Sequence, residues 1–218
     1  LDSLSRLFIT VFAITVFTAG LFCCKQASST ELSAAYVYAG GAMSVVLAGD
    51  LISLFIFWEL MALASTLVIW SAQNEKSYKA GMRYISIHLL GGVILMCGIA
   101  SYVYETNSIA FTHMQLNSIS TWLILCGFLL NAGAPPLTAW LADAYPEASY
   151  SGMVFLSAFT TKTAVYVLLR GFPGTELLIY IGLFMIFYGI IYALLENDIR
   201  RILAYSIINQ VGFMNCGI

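Results

Sequence analysis

Apolar residues run along this chain in long, nearly unbroken stretches, separated by short polar or charged breaks. That pattern belongs to membrane-crossing helices, each needing roughly 20 apolar residues. It is not the pattern of short alternating strands with a polar lumen that marks a transmembrane barrel. The breaks place helix A at about 7–24, B at 33–49, C at 51–72, D at 84–104, E at 119–142, F at 150–169 and G at 177–195. An eighth helix, H, starts near Ile199 and is expected to be cut short. Asp50 marks the turn between B and C, Gln73 to Arg83 reads as a polar loop, and Glu105 to Ser118 as a polar segment. Pro135 and Pro136 fall inside helix E and should break it, since proline removes a donor and clashes with the preceding turn. The expected fold is all-α: a polytopic transmembrane bundle of about seven complete helices plus a truncated eighth, in one domain over 1–218. The chain begins with Leu1 and ends at Ile218 inside an apolar stretch, which suggests a piece of a longer protein.

Composition narrows the function classes. Hydrophobic residues make up 61% and charged residues 9% of the 218, against roughly 25% charged in a soluble domain. With a mean hydropathy of +0.89, that excludes a soluble enzyme and a disordered chain. Nine Lys+Arg against eleven Asp+Glu leave no basic footprint for nucleic acid. The bilayer is the implied partner. Loop cations set the orientation. Lys25, Lys76, Lys79, Arg83, Arg200 and Arg201 fall at one set of helix ends, assigned as inner; Arg6 and Arg170 fall at the other. Trp70, Trp122 and Trp140 lie near helix ends, where the interface suits them. Gly91 and Gly98 on D, and Gly182 and Gly189 on G, permit close helix packing. The five cysteines show no CxxC spacing and read as small buried hydrophobes. No metal-ligand cluster, nucleophile triad or phosphate loop is visible, so neither cofactor nor metal is expected.

Two charges stand where charges are costly. Glu59 lies nine residues past Asp50 in helix C, and Lys162 lies in the middle of helix F. At 1.5 Å per residue Glu59 is ~13 Å deep in a core of ~30 Å. A charge at that depth costs at least about 2.5–3.5 kcal/mol on insertion scales. Each should therefore face the bundle interior, with a partner or water. One reading is a structural Glu59–Lys162 ion pair. The other is a proton relay, with Lys162 as the switchable carrier and Glu59 as the modulating carboxylate. Helix E adds NAGAPP, Asn131 to Pro136, and irregular backbone at membrane depth is tolerated only when buried in protein or lining a wet cavity. Thr160, Thr161 and Thr163 flank Lys162, and Tyr166 follows one turn later. Ser206, Asn209 and Gln210 form a polar stripe on helix H, able to hold waters or to hydrogen-bond between helices. His88, near the start of helix D, reads as a packed or interfacial residue.

These blocks resemble the proton-conducting antiporter-like membrane subunits, the family shared by the membrane arm of NADH:quinone oxidoreductase (respiratory complex I) and the Mrp-type cation/proton antiporters. The resemblance rests on DSLSRLF (2–8), GDLISLFIFWELMALAS (49–65), PPLTAWLADAYPEAS (135–149), LSAFTTKTAVYVLLR (156–170) and ENDIRRILAYSIINQVGFM (196–214), in that order. It implies a protein of about 14 helices with two inverted repeats of five. The chain would run from the third helix to the start of the tenth, with a first repeat near 33–169 and the start of a second at 177–218. The family's intramembrane Glu falls on Glu59 and its central Lys on Lys162. Three departures stand out: the family usually has Lys at the place of Asn131, His at that of Thr138, and often His at that of Gln210. The resemblance implies proton translocation coupled to monovalent cation (Na⁺ or K⁺) exchange, as a D-type subunit working with other subunits in a bacterial cell membrane. The alternatives are a proton-pumping subunit of NADH:quinone oxidoreductase, without a redox site of its own, and a structural subunit that no longer conducts.

Overall fold

A computed structural model describes residues 2–136 and 138–218. The described residues are helical, with no strand. The helices are α1 (Ser3–Cys23), α2 (Ser29–Leu47), α3 (Leu51–Trp70), α4 (Glu75–Thr106), α5 (Ile119–Ala132), α6 (Ala139–Ala144), α7 (Tyr150–Ala158), α8 (Thr160–Gly171), α9 (Glu176–Leu195) and α10 (Ile199–Cys216). A single 3-10 turn, Tyr145–Glu147, joins α6 to α7. They follow the eight segments expected from sequence, with α5 and α6, and α7 and α8, as interrupted versions of the expected helices E and F. Five stretches, α1, α3, α4, α7 with α8, and α9, are long and apolar enough to cross a membrane.

Polar residues between the apolar runs start the helices. Asp50 accepts the Ser53 N–H at 2.8 Å, Asn74 that of Ser77 at 2.7 Å, and Ser149 that of Gly152 at 2.8 Å. The Ser53 backbone bond holds the Asp50 carboxyl below the usual carboxylate range. The Asn74 cap corrects the expected loop at 73–83: Glu75 onward is already α4. Its polarity reflects a helix standing out of the apolar layer, since 32 residues span ~48 Å against a ~30 Å core. Lys79 pairs with Glu75 one turn back at 2.7 Å on those protruding turns.

Glycines bring helix backbones together where the spacing anticipates. A methyl on Gly182 of α9 would lie 2.6 Å from the Gly212 carbonyl of α10, and one on Gly98 of α4 would lie 2.7 Å from the Ile124 nitrogen of α5. The segment after α4 is tied across one end of the bundle. Leu51 donates to the Ile109 carbonyl at 2.8 Å, and Met114 to that of Gly171 at 2.7 Å. Large apolar side chains such as Phe17 on α1 and Phe187 on α9 face outward.

The charged ends segregate. Lys76, Lys79, Arg83 and Arg201 surround one depression together with Asp143 and Glu147. There Arg83 grips Asp143 through two bonds, of 2.6 and 2.9 Å. Arg170 lies at the opposite end, 5.4 Å above the Phe111 ring. Two expectations need correction. Trp140 is buried rather than interfacial, because its indole N–H is used inside the bundle. Among the cysteines only Cys23 is fully buried; Cys24, Cys97 and Cys126 face outward from the helix surfaces.

Candidate functional site

Lys162 begins the second half of a helix that fails to run through. The ladder stops at Ala158 and restarts at Thr160, with Phe159 between at φ −108°, ψ −61°. In a continuous helix the Thr160 N–H would reach the Leu156 carbonyl. Instead the Tyr38 hydroxyl of α2 is inserted between them. It accepts the Thr160 N–H at 2.8 Å, lies 2.6 Å from Thr160 Oγ1, and reaches toward the Leu156 carbonyl at 3.5 Å. Side-chain insertion into the ladder is one of the few causes of a sharp helix break. The same break exposes the Ser157 carbonyl, and Lys162 Nζ donates to it at 2.8 Å.

The lysine thus curls back along its own helix and looks into a groove of about 550 Å³ between α7 and α10. Ser157, Lys162, Ser206 and Gln210 supply polar lining, and Arg200 adds a further cation. Arg200 is held in turn by the Ala148 carbonyl and by the Tyr150 ring, 4.9 Å from the guanidinium carbon. Gln210 sits on the exposed side of α10, where it reaches this groove.

Glu59 is placed differently. It is half-buried on α3 and points at α4, where a methyl group on Gly92 would collide with its carboxylate. Its Oε1 is buried without a protein partner. Asn131, at the end of α5, approaches the neighbouring Gly91 of the same helix, its Oδ1 being 3.8 Å from where a methyl would stand. Adjacent glycines therefore open α4 to Glu59 on one register and Asn131 on the next. Both polar atoms of the Asn131 side chain are buried and unpartnered. Three ion pairs occur among the described residues, and neither Glu59 nor Lys162 takes part in any of them. The direct Glu59–Lys162 pair considered from sequence is not made, because each side chain turns toward its own helix–helix contact.

Not every candidate meets at this place. Thr161 is fully buried with an unpartnered hydroxyl. Tyr166 turns away from the groove: it donates to the Val46 carbonyl at 2.9 Å and accepts from Arg170 at 2.7 Å. That bonding makes it a brace between α8 and α2. The broken helix is closed by other groups. Gly133 takes φ +77°, Ala134 donates to the Leu129 carbonyl at 3.0 Å, and Trp140 Nε1 donates to that of Leu130 at 3.1 Å. Pro135 and Pro136 follow, joined by a cis bond. Tyr38 is the residue that sequence reading missed. Its only sequence signal is that it is one of two tyrosines, with Tyr36, in a helix rich in small residues, which reads as packing. Tyr38→Phe removes the inserted hydroxyl and leaves the Thr160 N–H buried without a partner, at a cost of about 1–3 kcal/mol. A lower melting temperature of the purified protein is the expected outcome, and an unchanged one would contradict this role.

The family model for the transmembrane region described as NADH:quinone oxidoreductase/Mrp antiporter matches residues 48–218. The chain belongs to this family. It is an integral membrane protein, as the family and its apolar helices together require. The D-type subunit of the Na(+)/H(+) antiporter of Alkalihalophilus pseudofirmus is 29% identical over 97% of this chain and 49% of its own length. The M-type subunit of the NADH-quinone oxidoreductase of Pseudomonas aeruginosa is also 29% identical, over 82% of this chain and 41% of its own length. The chain therefore spans about half the length, or less, of the curated relatives it matches. A chain in the structure of the Mrp complex from Dietzia superposes with a TM-score of 0.90, at 24% identity, over 100% of this chain and 45% of that one. This likeness establishes the fold. In this family member Glu59, Asn131, Lys162 and Gln210 all lie inside the matched region, whereas Tyr38 precedes it.

Proposed function

We propose that the complete protein moves protons across a bacterial cell membrane in exchange for Na⁺ or K⁺, as one subunit of a multisubunit cation/proton antiporter. The observation that carries this reading is the placement of Lys162. A lysine inside an apolar span, bonded only to a carbonyl freed by a helix break and facing a groove, has no ion-pair partner among the described residues. Such a group gains and loses a proton in response to its surroundings. Glu59, on α3 and facing Gly92 of α4, supplies a second exchangeable site. The proposed first repeat, near 33–169, contains both groups.

The test uses everted vesicles from cells lacking their own antiporters, containing the complete protein with its neighbouring subunits. A pH gradient is imposed without NADH, and Na⁺ or K⁺ is added. Collapse of the gradient on cation addition is the expected result. No collapse, with proton pumping on NADH addition, would assign the chain to the redox-driven complex. Neither response in an assembled complex would leave a non-conducting structural subunit.

A further inference from the structure

One buried titratable side chain has no part in the proposed route. His88 sits on α4, one turn before Gly91 and Gly92. It is 1% exposed, stacked on Tyr84 with ring centroids 4.0 Å apart, and edge-on to Trp140 at 4.7 Å. Neither Nδ1 nor Nε2 has a protein partner. A neutral imidazole carries one N–H donor and one acceptor, and a charged one carries two donors. A ring buried purely as packing would leave both unpaired, at about 1–3 kcal/mol for each group.

The ring is not alone in this. Glu59 Oε1, both polar atoms of the Asn131 side chain and the Tyr145 hydroxyl are buried and unpartnered as well. They belong to α3, α5 and the turn after α6, and they surround the same stretch of α4. Glu59 and Asn131 face Gly92 and Gly91; Tyr145 packs on Trp140 at 5.9 Å, and Trp140 packs on His88. Buried polar groups of native proteins are satisfied by protein or by ordered water. Polar atoms clustered in this way without protein partners are groups that ordered water would satisfy.

Hydroxyls lie beyond His88. Tyr84, one turn earlier on α4, bonds Ser65 at 2.9 Å.

We propose that His88 is a proton-transfer residue that takes protons from Glu59 and passes them toward the buried hydroxyls of Tyr84 and Tyr145. A proton arrives at one ring nitrogen through water from the Glu59 carboxyl. The proton on the other nitrogen leaves through water toward the tyrosine hydroxyls. The imidazole returns to neutral as its other tautomer, and a ring flip restores the first tautomer before the next proton is passed. Asn131 holds no charge, so the ionisable link on this path is supplied from α4. The inference rests on the proton-translocation reading above.

The experiment compares wild type, His88→Gln and Lys162→Met in the complete, assembled protein, in the same everted vesicles. Gln keeps a polar side chain of similar reach and cannot relay a proton through a ring. Cation-dependent proton flux per assembled complex is expected to fall at least tenfold in His88→Gln. Wild-type flux in His88→Gln, with Lys162→Met inactive, would overturn the role of His88 alone. Wild-type flux in both variants would overturn the proton-translocation reading itself. If His88→Gln does not assemble, His88→Ala is assayed with and without added imidazole. Recovery of flux with imidazole is then expected, and a complex that stays inactive overturns the proposal.

Discussion

Lys162→Met in the complete protein is expected to lower cation-dependent proton flux on the order of 10²-fold or more, the scale lost when a proton-transferring side chain is removed. The complex should still assemble. Met matches the length of lysine, and Met153, Leu203 and Ile207 already give the groove apolar walls. The change removes one bond to the Ser157 carbonyl, a charge-assisted contact of about 1.5–3 kcal/mol. It also removes a buried cation that has no carboxylate partner, and that relief offsets the loss. Ser206 and Gln210 line the same groove. Initial rates of gradient collapse, normalised to the amount of assembled complex, measure the effect. A rate near wild type would remove Lys162 from the proton path.

Glu59→Gln is expected to separate transport from stability. The amide has the shape of the carboxyl group and fits against Gly92 in the same way. No ion pair is lost, because Glu59 makes none. An unpaired ionisable group in an apolar layer is a burden on the fold, so its neutral replacement should leave the melting temperature equal or higher. Flux should nevertheless fall tenfold or more, since an amide neither takes nor gives up a proton in this range. A melting temperature several degrees lower, with flux unchanged, would make Glu59 a structural residue and contradict the account.

How much of this was legible in the chain depends on where each cause lies. The five long spans follow from apolar run length, and Glu59 and Lys162 announce themselves as charges inside such runs. The break at Pro135 and Pro136 is a local covalent effect and is equally readable. The interruption before Lys162 is not. Its cause is the Tyr38 hydroxyl on α2, about 120 residues away in sequence, as the bond to Thr160 records. Nothing in SAFTTKTAVYV marks a break. Residues 75–83 read as a loop because they are polar, yet Glu75 and Lys79 are good helix formers and an Asn74 cap precedes them. Trp140 read as interfacial from its position near a helix end, although its N–H is the donor that closes the broken helix. Tyr166 shares a helical face with Lys162 by spacing, but the lysine curls back to Ser157 while the tyrosine reaches forward to α2. Spacing fixes where a side chain leaves the helix, and its partners decide where it ends.

The central claim is that Lys162 works by exchanging a proton rather than by holding a positive charge in place. Lys162→Arg separates the two, because guanidinium stays protonated with a pKa above about 12 while keeping the charge and a donor for the Ser157 carbonyl. The decisive measurement is cation-driven collapse of an imposed pH gradient in everted vesicles, wild type beside Lys162→Arg, at equal amounts of assembled complex. Collapse in wild type and none in Lys162→Arg is the expected result. Equal collapse in both would show that a fixed charge suffices and would contradict proton exchange at Lys162.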